Sequence, residues 1–557
     1  MAKKILSWIY RIFLNSTKIF SQAKINNISI KSPKTKVIAT FGSLALLASA
    51  CGSANASSTS SSVASKSRTL QFAFTADTQP PDPDIFYAGQ GLNITMATYQ
   101  GLVKYASNTP KAKIIPNLAT SWTISPGGRT YTFHLRPNVK FHDGTTFTST
   151  SVAVSFARRQ KLNQGPAYML SQVSSVSTPS PLVAVVHLKT PVAAFMDYLA
   201  SAYGPKMESP TALAKHSGND LAQSYLRTHD IGTGPYQISK VVPGQKYVLT
   251  RFNGYWGPKP YYKTINIFIT PDVTTQQLQL EQGQLQMILH GLSTSAIQQF
   301  RSNRNFKVSE LPTLQMAMIW VNPNKGAFKS NKLRLALEQA VNKNALVKEV
   351  FPGRGTVAKQ IYPKGELPMG TAMENPTYNP AKLTQLVKSL PNSAKSISLG
   401  YSTSQPSSQL LANLLQIQLS KLGLKVAIRA IPSSTIYGFA SAPATAPNLL
   451  IETNWPDAAH PDTWARIVMG AGGGLNYLNC SVPKADSLIN KGLATMNKAT
   501  SLKYYEQAGT LYAASGCWIP IANVDATVIT PKWLGGISHQ VTTPYVVSLA
   551  DLKPKVK

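Results

Sequence analysis

From Arg68 onward, short runs of period two alternate with longer runs of period near 3.6. Leu70-Gln-Phe-Ala-Phe74 and Thr130-Tyr-Thr-Phe-His-Leu-Arg136 place apolar residues at every second position, which predicts half-buried strands. Helical spacing predicts helices over Ser151–Gln160, Thr275–Gln284, Lys332–Val350, Pro380–Leu390 and Ser408–Leu422. The last runs into Gly423-Leu-Lys-Val-Ala-Ile-Arg429, a helix–glycine–strand unit of α/β architecture. Ala485–Ala514 repeats apolar residues at Leu488, Ile489, Leu493 and Met496 and leads into a predicted strand, Cys517–Ala522. Pro80-Pro-Asp-Pro83 is a rigid turn, and no internal repeat is visible.

The N-terminus breaks this pattern. Residues 1–36 hold eight Lys or Arg and no acid, and an apolar run of 14 residues follows from Val37 to Ala50. That run is shorter than the roughly 20 residues a permanent membrane helix needs, so it predicts a cleaved export signal. It ends on Leu47-Ala-Ser-Ala-Cys51, which resembles the bacterial lipobox. The expectation is a signal peptide over 1–50 and lipid attachment at Cys51, against a plain secretory signal with an incidental cysteine. Residues 51–67 are rich in Ser, Ala and Thr and read as a flexible tether. Two acyl chains hold a protein to a membrane where one does so only marginally. The body carries no further apolar span of membrane length.

Composition narrows the partners. The chain has 557 residues, enough for two or three cores. Its net charge of +33 arises from 55 basic and 22 acidic residues, and beyond residue 36 the basic residues are scattered. A nucleic-acid binder concentrates them, so no nucleic-acid partner is expected. Charged residues are 14%, against roughly a quarter in an average domain. A surface poor in carboxylates suits an acidic exterior or an anionic cell envelope. Only Cys480 and Cys517 remain besides Cys51; in an exported chain an even pair predicts a disulfide, with two buried thiols as the alternative.

Catalytic signatures are missing. The sequence holds no Walker loop, no Gly-x-Ser-x-Gly elbow and no His-Glu-x-x-His motif. His134 and His142 do not stand at a convincing ligand spacing. The expectation is a protein with no enzymatic activity, no cofactor and no resident metal.

A family resemblance covers residues 70 to 550. Thr98-Tyr-Gln-Gly-Leu-Val-Lys-Tyr105, Ile115-Pro-Asn-Leu-Ala-Thr-Ser-Trp122 and Gly128–Gly144 resemble the signature of family 5 solute-binding proteins, the dipeptide, oligopeptide and nickel receptors of ABC importers. Gly232-Thr-Gly-Pro-Tyr236, Phe252-Asn-Gly-Tyr-Trp256, Tyr378-Asn-Pro380 and Trp518-Ile-Pro520 follow in the family's order. Leu333–Asn342 resembles a block that usually ends in Asp.

The resemblance implies a periplasmic-binding-protein-like α/β fold of two lobes, a hinge and an extra α+β domain on the first lobe. Lobe I is expected from 68–111, 231–310 and 524–557, the extra domain from 112–230 and lobe II from 311–523. Ligand would bind between the lobes and closure would bury it. The implied role is a monomeric receptor on the outer face of the membrane, or its periplasmic side, that delivers peptides to ABC permease subunits. Other readings are a receptor for an oligosaccharide or other neutral solute, a receptor for a nickel chelate, and a surface sensor without transport.

The resemblance also nominates ligand contacts in Asn454-Trp-Pro-Asp-Ala-Ala-His-Pro-Asp462. Asp457 matches an acid that pairs with a peptide's α-ammonium, against the alternative of capping the turn before Pro461. Trp455 would floor the pocket or pack in the core, Asn454 lies beside it, and His460 is the candidate for a nickel-type ligand. Gln405 stands where dipeptide-binding relatives carry an Arg before Pro406 that clamps the ligand carboxylate.

Overall fold

The computed structural model describes residues 67–367 and 376–555. The expected signal, Cys51 and all but the last residue of the tether lie outside the described residues. No helix among the described residues is long and apolar enough to cross a membrane.

A first sheet has the spatial order Thr69–Phe74, Thr264–Ile269, Lys246–Arg251, Tyr236–Val242. Leu70, Phe72 and Phe74 point into one core with Ile265 and Ile267, as the period of two requires. Ala73, on the opposite face, is buried too, because Leu280, Ile288 and Ile529 cover it. This strand is therefore covered on both faces, where its alternation predicted one. A second sheet, order Ala119–Ile124, Thr130–Leu135, Val183–Leu188, Val173–Ser180, is antiparallel throughout. Tyr131, Phe133 and Leu135 pack from it against Phe141, Phe147 and Phe156. That core also takes in Phe86, Leu92, Leu102 and Tyr105 from earlier in the chain.

The third sheet is the largest. Its order is Gly355–Val357, Trp518–Pro531, Phe306–Val321, Leu449–Asn454, Ser396–Ser402, Lys425–Ile431. Its central strand sends Met316, Met318 and Trp320 into one core and Ala317, Ile319 and Val321 into another. Buried on both faces, such a strand reads as a continuous apolar run.

Two predicted helices are each two. Lys332–Val350 divides into Asn331–Ala340 and Lys343–Val350. Asn342 leaves the helical region and its side chain accepts from the amide of Ala345 at 3.0 Å, capping the second helix. Asn and Asp cap about equally well, so this departure from the family block keeps its local physics. Ala485–Ala514 divides likewise into Pro483–Ala494 and Lys498–Ala514, with Asn497 accepting from Thr500 N at 3.0 Å. Cys480 and Cys517 form a disulfide that joins the loop before the first of these helices to the strand Trp518–Pro531.

Two long neighbours, Phe306–Val321 and Trp518–Pro531, run from the large sheet toward the first. Their pairing slips twice, and at the wider slip Leu311 faces Ala526 and the next pair is Gln315 with Val524. Three residues on one strand thus oppose Asp525 alone, a bulge that twists the ribbon. Its stranded amides find other acceptors, Leu314 N on Val541 O at 2.9 Å and Asp525 N on Arg354 O at 2.7 Å. Beyond the slip, Ile529 bridges to Ile288, and Met287 bridges to Phe72 of the first sheet.

Candidate functional site

The strand Leu449–Asn454 is buried along its whole length. Where it runs out, Glu452, Thr453, Asn454 and Trp455 form one wall of a cavity of about 150 Å³. Ser404 and Gln405, from the end of the neighbouring strand, complete that wall. The facing wall is Gly89, Gln90, His290 and Tyr545. A second, smaller cavity of about 60 Å³ adjoins it, sharing His290, Gln405, Thr453 and Tyr545 and adding Gln315, Arg354 and Asp525 beside the strand slip. Ligand sites in α/β proteins collect at such strand ends, where backbone groups emerge from the sheet.

The walls are polar at chosen points. Gln405 Nε2 donates to Thr453 O at 3.1 Å. Glu452 accepts from the amide of Thr453 at 3.0 Å, and burial pushes its carboxyl up to about 7, against the pull of a hydrogen bond from Ser402. Asn454 Oδ1 accepts from the Tyr477 hydroxyl at 3.4 Å, but its Nδ2 is buried without a partner. An unused buried donor on a cavity wall suits a ligand acceptor. Trp455 stands edge-on to Tyr545 at 5.4 Å between ring centroids. Gly89 lets it do so: a Cβ there would lie 3.3 Å from the Trp455 ring. Burial and the nearby charge of Arg354 hold His290 down at about 4, so its imidazole is neutral.

Three of the expected contacts, Gln405, Asn454 and Trp455, therefore share one cavity. Asp457 and His460 stand outside its lining. Asp457 is buried, its Oδ2 accepting from the hydroxyls of Tyr168, at 2.7 Å, and Tyr87. Burial raises its carboxyl to about 6, more than the two tyrosines lower it. The capping role before Pro461 falls instead to His460, whose Nδ1 accepts from Asp462 N at 3.2 Å. The ring of His460 lies edge-on to Tyr505, and burial holds its pKa down. Glu452, His290, Arg354 and Tyr545 were not anticipated from the sequence. Glu452 left one signal, an acid inside the apolar run Leu449-Leu-Ile-Glu-Thr453 of a chain with few acids.

Among the described residues, one group of carboxylates is close enough to share a metal ion: Asp82, Asp84 and Glu208. Arg158 already meets all three at 2.6–2.9 Å, and Arg159 meets Asp84 at 2.8 Å. The guanidinium groups supply the positive charge there, and the group reads as a structural network.

Residues 113–475 match the family described as bacterial extracellular solute-binding proteins, family 5. The chain is 26% identical over 449 residues to the probable D,D-dipeptide-binding periplasmic protein DdpA of Escherichia coli, covering 78% of this chain and 84% of that one. It is 25% identical over 544 residues to heme-binding protein A of Haemophilus influenzae, covering 90% and 96%. Among solved structures it resembles NikA of Brucella suis in complex with Fe(III)-EDTA, with a TM-score of 0.77 at 22% identity over 87% of this chain and all of the other. DppA of Helicobacter pylori in complex with the peptide STSA gives 0.75 at 21% identity over 88% and 98%.

Proposed function

The chain belongs to family 5 of the bacterial extracellular solute-binding proteins, with their two-lobed α/β fold, and on that footing we propose that it is the peptide-binding receptor of an ABC importer. The observation that carries this reading is the cleft. Its walls come from opposite sides of the strand slip, and they offer spaced hydrogen-bonding groups with no catalytic constellation. Glu452 on the wall, with Asp457 behind it, makes one end negative, and a peptide's α-ammonium would restore the charge that burial disfavours in both. Asn454 Nδ2 and Gln405 would meet peptide carbonyls. The relatives whose names or complexes concern dipeptides and peptides support the same ligand class.

In this reading residues 68–111, 231–310 and 524–557 form lobe I, 112–230 the added domain and 311–523 lobe II, meeting at the slip near Leu311 and Val524. Lipid on Cys51 would hold the receptor at the outer face of the membrane, as a monomer, within reach of the permease. No covalent step is needed.

Calorimetry against a defined peptide pool and an oligosaccharide pool tests the ligand class. Heat from the peptides alone is expected; heat from the sugars alone overturns it. Free and N-acetylated forms of one peptide test the acidic end. Glu452→Gln and Asp457→Asn should each weaken the free form more, and equal weakening of both forms would remove that role. A metal chelate is the second reading, because His290, with a neutral imidazole, stands on the cavity wall. Retention of nickel with free histidine by the wild type, lost in His290→Ala, would favour it.

A further inference from the structure

Arg354 ends the turn after the helix Lys343–Val350 and precedes the short strand Gly355–Val357. Its backbone is fixed at the slip between the long strands: its carbonyl accepts from Asp525 N at 2.7 Å and its amide donates to Phe351 O at 3.1 Å. It lines the cleft, with its guanidinium carbon 5.0 Å from the centre of the Phe351 ring.

The buried arginines have partners of their own. Arg158 and Arg159 hold the carboxylates of Asp82, Asp84 and Glu208, and Arg334 donates to the carbonyls of Phe328, Lys329 and Ser515. Arg354 has no such arrangement. Among the described residues no carboxylate lies within 4 Å of its guanidinium and no side-chain hydrogen bond holds it. The acids that bear on it are Glu310 and Asp525. Glu310 is taken by Arg301 and by the Thr527 hydroxyl, and Asp525 stays beyond ion-pair distance. A half-buried guanidinium with five donors, whose nearest acids are engaged elsewhere or beyond ion-pair distance, is placed to take an anion from the cleft.

We infer that Arg354 receives the anionic end of the ligand in the cleft. Gln405, where the family resemblance placed a carboxylate-clamping arginine, lines the same cavity but gives its amide to Thr453 O. The positive charge thus reaches the cleft from a different element. A guanidinium fork fits a carboxylate bidentately. With Glu452 on the adjoining wall, the cleft is polarised for a zwitterion. This assignment rests on the peptide reading above and adds to it the group that selects a free C-terminus.

The test is native mass spectrometry of wild type, Arg354→Gln and Arg354→Lys, each checked for an unchanged melting temperature. Each is offered an equimolar synthetic library of tri- to pentapeptides as free acids and as C-terminal amides. Wild type should retain the acids over the amides by at least about tenfold. Arg354→Gln should lose that preference and Arg354→Lys should keep part of it. Equal retention of acids and amides by wild type, or an undiminished preference in both variants, overturns the role of Arg354 while the peptide reading stands. A wild-type protein that retains neither form overturns the peptide reading and this assignment with it. If Arg354→Gln does not fold, the lysine variant decides: an unchanged preference contradicts the inference, because a point charge cannot reproduce the fork.

Discussion

The hydroxyl of Tyr168 donates to Asp457 Oδ2 at 2.7 Å, across 289 residues of sequence. Tyr87 reaches the same oxygen, Tyr198 donates to Asp462 at 2.8 Å, and the Tyr105 oxygen accepts from the amide of Ala459 at 3.0 Å. Four tyrosines from residues 87–198 therefore clasp the segment 457–462.

Removing one member should loosen the clasp measurably. Tyr168→Phe leaves Asp457 with a single hydroxyl donor in a buried site. The expected loss is about 1–3 kcal/mol of unfolding free energy, read by urea denaturation. An unchanged midpoint would mean that the Tyr168–Asp457 bond contributes nothing net.

The two raised carboxyls make a pH prediction with a definite sign. Asp457 moves from 3.8 to about 6 and Glu452 from 4.5 to about 7, each mainly by burial. Between its unfolded and folded values each group binds more protons in the native state. Its contribution to stability is thus greatest in acid and falls as pH rises through about 6 and 7. The loss is on the order of 3 kcal/mol for each group. Glu452→Gln should gain on wild type as pH goes from 4.5 to 7.5, measured as the difference in melting temperature. A difference that stays flat across that window contradicts it.

Arg158 holds three buried carboxylates together. Arg158→Met leaves Asp82, Asp84 and Glu208 facing one another without it, at an expected cost of about 3–5 kcal/mol. Soluble yield and denaturation midpoint should both drop, and a loss below about 1 kcal/mol would show that those carboxyls are already protonated in the native protein.

The disulfide closes a loop with a sequence separation of 37. Replacing both Cys480 and Cys517 with Ser should lower stability by about 3–4 kcal/mol through the freed unfolded chain. Reduction of the wild type should reproduce the loss. If reduced wild type and the double variant both melt like the oxidised protein, the bridge adds nothing to stability.

Local pattern reached the elements but not their joints. The apolar spacing of Lys332–Val350 continues through Asn342, so periodicity alone sees one helix; the cap that divides it is a single side chain. Asn497 hides the second division in the same way. Ala73 could not be read as buried, because its cover comes from Ile288 and Ile529, far along the chain. The cleft shows the same limit. Gln405, Asn454 and Trp455 were legible through family resemblance because they sit in recognisable blocks. Their facing wall, with Gln90, His290 and Tyr545, is assembled from segments that carry no motif of their own. Asp457, the residue the resemblance favoured most, lies behind that surface under two tyrosines, since a motif marks a place in the chain and not the depth of a side chain.

The slip between Phe306–Val321 and Trp518–Pro531 has a mechanical meaning. A two-stranded ribbon is stiffest where its rungs are regular. Here the rungs stop for Pro312, Thr313 and Leu314: Leu314 N is tied to Val541 O, Asp525 N to Arg354 O, and the Thr313 hydroxyl to Val524 O. Bending compliance is thus concentrated in a few dihedral angles between two stiff arms. Arg354 holds one of those ties through its backbone and lines the cleft, so a ligand that grips the guanidinium also pulls on that tie.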